Sequence, residues 1–563
     1  MNAQLRASFI LVVLALAIFL AGGAFFYSIN ALSSDTMFPD DVFYHVAHAR
    51  SYLTGEALSY PIYSMFSEKP ADLYLGYHYL MALFIGSGEA LPEAMLWRVQ
   101  VMQSVLAGIF LSLFFLVSSE FMRFALKVPP RTARWLGLLT TVLLVTFSAS
   151  FMFRLFIVRP HIISSLFFLL AFLFSVKRWH LPLFLTSILF PLLYPLSFLV
   201  LIPPLIIAFC DLLGSGFRPK SLSFLSPFLI ALGGLAIGIV LHPDSLNYLY
   251  NGYFATVVTL LTSKLGITME GREISSPLLS LYDLSWLIPL IAAWGAILVR
   301  FMRHPSFTKT LSLPLAALLV MVSSLFILQM FFARTSEYFF PFWALLVVFV
   351  FASIYRVGVS VWLNGEGGNT KPSGHSIRAV LEDMHSDIIR NKKLLSFLLI
   401  LVFLFQLSGI WLFLARTRMT QSGSDRYTAA AHFIADDSPG GSIVFTQYFH
   451  QYPPLVFFNP SDRYIMGMAS VYTYLYNREL YWQYLHVIKG EAICLSKKCR
   501  GEGADLYETL RTAFGASYVF IDTERAGGKE KATPEFIALL DNDTRFKKVF
   551  VDEKYPSVML YKL

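Results

Sequence analysis

The chain has 563 residues, 56% of them hydrophobic and 14% charged, with a mean hydropathy of +0.61. That leaves too little polar surface to enclose the apolar mass as a water-soluble globule, so the composition is that of a polytopic membrane protein. The net charge of +8 does not point to nucleic acid, because the basic residues gather in short segments between apolar runs, where they orient helices.

In chain order, the first apolar run, from Ala7 to about Ile29, is long enough to cross roughly 30 Å of hydrocarbon. It is too long for a signal-peptide core and reads as a retained helix, although Ala21-Gly22-Gly23-Ala24 mimics a cleavage site. Runs of this kind predict eleven transmembrane helices, near 7–29, 96–118, 135–153, 160–176, 181–197, 198–213, 222–242, 284–300, 311–332, 338–355 and 394–414. The fifth and sixth are short and divided by Tyr194-Pro195-Leu196-Ser197, which predicts a tight hairpin or a partly re-entrant pair kinked by Pro191, Pro203 and Pro204. With 53 Phe and 28 Tyr against 33 Gly, the helices are bulky rather than Gly-packed.

Threading eleven spans alternately puts Arg123 to Arg134, Lys177 and Arg178, Arg218 and Lys220, Arg300 to Lys309, and Arg356 to Lys393 on one side. That side is the cytoplasm. The expected location is the inner cell membrane, with the N-terminus inside and both the first loop (30–95) and the C-terminal segment outside. Within that loop, Asp41 to Leu58 and Leu73 to Gly86 mix apolar, aromatic and charged residues as interfacial amphipathic helices do. Two domains are expected: 1–415, membrane-embedded, and 416–563, a soluble extracytoplasmic α/β domain. Its strands are read at 442–446, 518–522 and 558–563, with a helix at 505–514. Cys494 and Cys499 in the exported domain form either a disulfide or a metal pair, and the disulfide is favoured because no zinc-like ligand spacing follows. Cys210, in an apolar span, reads as inert packing.

Polar residues that lipid would not tolerate alone collect at one predicted depth. The acid pair Asp40-Asp41 comes first, with His45 and His48 behind it; Asp72, His78, Arg154, Arg159, His242, Asp244, Arg334 and Glu337 follow. Asp41 and His45 are four apart and share a helical face. A carboxylate beside a second one at a low-dielectric boundary suits a general base, whereas an N-cap needs only one of the two. Arg334 suits bidentate phosphate binding or a surface ion pair with Glu337. Arg154 and Arg159 offer the same choice, or snorkel. His78 either contacts sugar or phosphate, holds a catalytic carboxylate, or is structural. His242-Pro243-Asp244 can simply end a helix. No Walker loop, GxSxG, HExxH or GxGxxG context occurs.

At Asp41-Val42-Phe43-Tyr44-His45, Asp72 through His78, Val158-Arg159-Pro160, His242-Pro243-Asp244, Arg334 with Glu337-Tyr338 and Pro341, and Tyr464-Ile465-Met466-Gly467-Met468, the chain resembles a bacterial branch of the GT-C superfamily of integral-membrane glycosyltransferases. That superfamily includes protein O-mannosyltransferases, aminoarabinose transferases and the catalytic subunit of oligosaccharyltransferase. The resemblance implies a GT-C-like fold, a polyprenyl-phosphate-linked sugar as donor and a lipid, glycan or protein as acceptor. It implies inverting transfer with Asp40 or Asp41 as the base, and Arg334 steadying the departing phosphate. His45, Asp72, His78, Arg154, Arg159, His242 and Glu337 are the remaining expected substrate- or phosphate-binding residues. The cofactor is unknown: a divalent metal stays open, no ligand is assigned, and Asp40, Asp41 and a distant Glu or His make a poor set. The terminal domain lacks the WWD-type signature of the oligosaccharyltransferases, so transfer of a preassembled glycan to Asn is not expected. The competing readings are a polyprenyl-lipid or small-solute transporter, in which the same charges relay protons or bind cargo, and an inactive scaffold for envelope assembly.

Overall fold

A computed structural model describes residues 3–32, 41–147 except 57, 59 and 89, 149–253 except 216 and 218–221, 257–258, 313–331, 335–363, 425–467, 470–499, 503–524 and 533–563. Asp40, Arg334, Met468 and the expected spans at 284–300 and 394–414 lie outside the described residues. The molecule is a helical membrane bundle carrying a small sheet near its C-terminus.

The helices, in chain order, are α1 (Ala3–Leu32), α2 (Asp41–Thr54), α3 (Met65–Glu68), α4 (Leu75–Ile85), α5 (Pro92–Leu126), α6 (Pro130–Phe147) and α7 (Ala149–Phe156). They continue with α8 (His161–Lys177), α9 (His180–Leu193), α10 (Ile202–Gly214), α11 (Ser226–Val240), α12 (Ser245–Tyr253), α13 (Leu313–Phe331) and α14 (Ser336–Leu363). Among the described residues, four segments are long and apolar enough to cross a membrane: 8–31, 92–126, 197–214 and 222–240. Shorter apolar helices fill the bundle between them.

α1 lies along α5, and the approach is close enough that a Cβ on Gly108 would sit 2.6 Å from the Phe19 carbonyl oxygen. Small residues let two backbones meet in lipid, where apolar burial drives nothing by itself. Gly22 and Gly23, which resemble a cleavage site in sequence, face that same seam. Two predicted basic loops meet at one end of the bundle, since Arg123 and Lys177 both pair with Glu120. The fifth and sixth predicted spans do not form a hairpin. α9 packs on α11 and α8, while α10 packs on α8 and α13, because the extended turn at Tyr194 redirects the chain.

Of the two predicted interfacial helices, α2 is enclosed rather than laid on a surface, while α4 leaves Tyr79 and Leu83 exposed. Val42 through Ala49 are all buried, since α2 is enclosed by α4, α5 and the helix Tyr452–Phe458 of the C-terminal region. α4 packs in turn on α5 and α9.

The C-terminal sheet has β1 (Ile443–Thr446), β2 (Arg463–Tyr464), β3 (Tyr518–Asp522), β4 (Lys547–Val551) and β5 (Val558–Lys562), in the order β2-β1-β3-β5-β4. β1 runs parallel to β2 and β3, whereas β5 runs antiparallel to β3 and β4. Val519 and Ile521 bury one face and Phe520 the other, against different core clusters, which is why β3 reads as a continuous apolar run. The Arg426 guanidinium grips Asp522 at the end of β3 through two bonds of 2.7 and 2.8 Å. The predicted helix at 505–514 is present as a short α-turn, 506–508, continuing into a π-turn, 509–513. Cys494 and Cys499 form a disulfide, and Cys210 is buried.

Candidate functional site

The site is organised by one face of α2. Asp41, His45, His48 and Tyr52 recur at helical spacing of three to four residues, so their side chains form a stripe. At the N-terminal end of this stripe Asp41 pairs with Arg159, which the chain places between α7 and α8. The carboxylate sits in the first turn of α2, where the helix dipole also favours it.

One turn on, a buried hydrogen-bonded chain begins. His45 Nδ1 lies 2.8 Å from His78 Nε2, and His78 Nδ1 lies 2.6 Å from Asp72 Oδ2. The same Asp72 oxygen accepts from the Tyr52 hydroxyl at 2.8 Å, and Oδ1 accepts from the Tyr74 backbone N–H at 2.9 Å. Such a chain has two complementary proton arrangements: His45 donates to His78, or His78 donates to His45. Burial acts to raise the Asp72 pKa, but the adjacent His78 imidazole, then His48 and the Tyr74 N–H, outweigh it and hold the carboxyl below the usual carboxylate range.

His45 is 4% exposed and His48 3%. Burial, then the neighbouring His78 and His48 rings, pushes His45 well below the ordinary imidazole value. Burial likewise lowers His48 to about 3, against the pull of Asp72 and with the help of His78. Both rings are therefore neutral at physiological pH. His48 stacks on His78 at 4.6 Å, nearly parallel, and Tyr44 stands edge-on to His48 at 4.5 Å.

His242 fixes the far side of the loop. Its Nε2 donates to the Asp72 backbone carbonyl at 3.0 Å, and its Nδ1 accepts from the Asp244 N–H at 3.1 Å. His242-Pro243-Asp244 thus follows the end of α11 and also clamps the segment that carries Asp72.

Deeper in the bundle, the Arg154 Nε lies 3.3 Å from Glu337, which is 1% exposed. The Arg154 carbonyl accepts from His161 Nε2 at 2.7 Å. Ser165 donates to the Glu337 carbonyl at 3.2 Å, and Ser164 shares a 2.8 Å bond with the Tyr338 hydroxyl. Glu337 therefore has an arginine partner other than Arg334, the one its sequence neighbourhood offers, because α7 and α14 are adjacent in space.

Of the expected residues, Asp41 with Arg159, then His45, His78, Asp72 and His242, form one continuous assembly; Arg154 with Glu337 forms a second. His161, Tyr52 and Tyr74 were missed. His161 follows Arg159-Pro160 directly and was hidden by its place at the start of an apolar helix.

As to a metal, His48, Asp72 and His78 offer three ligand-type atoms within 4.8 Å of one another. Both ring nitrogens of His78 are already engaged, however, and a cation held there has to displace a bond to Asp72 or His45. Asp41 is committed to Arg159. The residues form a hydrogen-bonded chain rather than an open ligand set.

The C-terminal segment roofs this assembly. Phe43 packs against Phe457 and Phe458 at 5.6 and 5.8 Å. The Ile62 N–H donates to the Tyr464 carbonyl at 3.0 Å, and the Tyr63 hydroxyl donates to Phe514 at 2.9 Å. Gly467 sits so close to this seam that a Cβ would lie 2.5 Å from both Pro61 and Tyr452. The segment Tyr464 to Met466 thus includes the edge strand that meets the loop carrying Ile62.

No family model and no curated protein matches the chain by sequence. Solved structures do match its fold. The apo oligosaccharyltransferase of Archaeoglobus fulgidus aligns over 91% of this chain and 70% of its own, with a TM-score of 0.59 and 11% identity. The same archaeal enzyme, AglB, in complex with an inhibitory peptide and a dolichol-phosphate, aligns over 91% and 69%, with a TM-score of 0.57 and 12% identity. ArnT from Cupriavidus metallidurans, bound to undecaprenyl phosphate, aligns over 98% and 97%, with a TM-score of 0.50 and 10% identity.

Proposed function

We propose, on the premise that this chain is a membrane protein of the GT-C fold, that it is a glycosyltransferase moving a sugar from a polyprenyl-phosphate donor to an acceptor hydroxyl outside the cytoplasmic membrane. The observation that carries the reading is the polar face of α2: a carboxylate against an arginine at one end, and a buried His-His-Asp chain directly behind it. Such an arrangement sets a fixed cation for a phosphate beside a carboxylate for a proton at the start of one short helix.

In the proposed reaction the acceptor oxygen attacks the anomeric carbon, and the bond from that carbon to the phosphate oxygen breaks. The electron pair leaves with the polyprenyl phosphate, the configuration inverts, and the hydroxyl proton passes to Asp41 or Asp40. Arg159 holds the Asp41 carboxylate in place and, with Arg154 and Arg334, supplies positive charge where the leaving phosphate gains negative charge. His45 and His78 orient the second half of the site through Asp72. The lipid carrier of the dolichol- and undecaprenyl-phosphate complexes is the model for the donor. The donor side is expected to be extracytoplasmic, under a soluble domain taken to run from about 416 to 563.

The test is turnover. Proteoliposomes holding the purified protein are incubated with radiolabelled polyprenyl-phosphate sugars and envelope extract, for wild type and Asp41→Asn. Transfer by the wild type and its loss in a folded variant support the enzyme. Labelled lipid that crosses the bilayer chemically unchanged supports the transporter instead.

A further inference from the structure

Between the exported loop and the turn after α11 lies a cavity of about 680 Å³, walled by His48 and Tyr52 of α2 together with Tyr60, Asp72, Asp244 and Asn247. Three features set its chemistry. Among the described residues its lining has two carboxylates and no lysine or arginine. His48, 3% exposed, has an Nε2 without a hydrogen-bond partner, and its ring is neutral because burial holds its pKa down. Aromatic rings stand around it: Tyr60 edge-on to His48 at 5.6 Å, and Tyr52 stacked on Tyr79 at 4.6 Å.

An anionic ligand entering here meets Asp72 and Asp244 with no compensating cation, an unfavourable exchange for a desolvating phosphate or carboxylate. A polyhydroxylated neutral ligand meets the reverse. Its hydroxyls donate to the Asp244 carboxylate and the free His48 nitrogen and exchange bonds with Asn247, while its C–H faces lie on the tyrosine rings. The Asp244 carboxylate, exposed at the start of α12, makes no ion pair among the described residues and is available for this.

We infer that this cavity is the acceptor subsite and that the acceptor is an uncharged carbohydrate rather than a phosphorylated one. The inference rests on the transferase reading and deepens it by naming the acceptor's class. Its place fits that role. His48 is seven residues from Asp41 on one helical face, about 10 Å along the axis, so a sugar seated at His48 lies on the same stripe as the acid and apart from the Asp41–Arg159 pair. A peptide acceptor is the competing class, but the lining offers side-chain hydrogen-bonding groups and ring faces rather than a strand edge to extend.

The experiment uses the full chain in lipid nanodiscs, avoiding glycoside detergents, and reads saturation-transfer NMR with cellobiose, diacetylchitobiose, glucose 6-phosphate, inorganic phosphate and an unstructured peptide. Saturable binding of a neutral disaccharide is expected, weakened at least tenfold by Asp244→Ala with Asn247→Ala. Glucose 6-phosphate is expected to compete at least tenfold less well, and Asp244→Lys should narrow that gap. Failure of both disaccharides to bind overturns the inference, as do equal competition by glucose 6-phosphate, binding of the peptide alone, or disaccharide binding unchanged in the double variant. Donor turnover in the same samples separates the two readings. Lost disaccharide binding with intact turnover removes the acceptor subsite alone, whereas intact disaccharide binding with no wild-type turnover overturns the transferase reading and the acceptor role with it, leaving a neutral-sugar site.

Discussion

The first two helices are opposites in composition and in burial. α1 is strongly apolar over 8–31, yet that spanning window is only 11% buried in the molecule, and Phe9, Val12, Leu16 and Leu20 face outward. α2 carries an aspartate, an arginine and two histidines, yet Val42 through Ala49 are all inside. In a membrane protein the apolar helix can face the solvent, which is lipid, while the polar one is enclosed once each polar group has a partner. Hydropathy therefore finds the wall of the bundle, and partnered polarity finds the site.

Five substitutions and one change of pH can break or sharpen that contrast. The largest effect is expected at Asp41→Asn, which keeps the volume but removes the charge and the proton acceptor. Transfer should fall by roughly 10²–10⁴-fold in a protein that elutes and melts like wild type; a fall below threefold would remove Asp41 from the chemistry. Asp72→Asn comes next. It leaves His78 facing an amide in a buried site where a carboxylate accepted from His78, Tyr52 and the Tyr74 N–H. Destabilisation of about 3 kcal/mol is expected, read as a lowered denaturation midpoint in lipid nanodiscs.

Acid should act on α2 through its histidines. His48 has a folded-state pKa lowered from 6.5 to about 3, so below pH 6.5 the unfolded chain takes up a proton that the folded one refuses. The stability present above pH 6.5 is lost progressively as pH falls toward 3, by about 2 kcal/mol at pH 5 from His48 alone. His45, shifted in the same direction, adds to it. Thermal melts at pH 7 and pH 5 measure the loss, and His48→Asn should shrink it. Gly467→Ala tests the roof: its methyl has to displace Tyr452 or Pro61, at a cost of about 1–3 kcal/mol, and protease should then reach the loop between α2 and α3 sooner. Leu16→Ala, on the outward face of α1 and 54% exposed, should change stability by only about 0.5 kcal/mol, marking the quiet end of the comparison.

Much of this was legible beforehand, for identifiable reasons. The helices near 96–118, 160–176 and 338–355 and the strands β1, β3 and β5 carry strong apolar runs, and each is present as a helix or strand. β2, two residues long, and β4, whose Lys547 and Lys548 are exposed, carry no such signal. Candidate residues were legible because polar groups at one membrane depth need partners, and eight of them fall into two assemblies. Their pairing was not legible. Arg154 with Glu337, and Asp41 with Arg159, join positions 183 and 118 residues apart, and hydropathy has no term for which helices touch. The burial of α2 was not legible for the same reason: its mixed composition resembles a surface helix until the C-terminal segment covers it.

The most direct test of the account is sugar transfer itself. Wild type and Asp41→Asn in sealed proteoliposomes are given radiolabelled polyprenyl-phosphate sugar with envelope extract, and products are separated by chromatography. Label moving from the lipid to an acceptor, lost in the folded variant, is the predicted result. Label that stays on its lipid in the wild type, or moves equally well in the variant, contradicts the account.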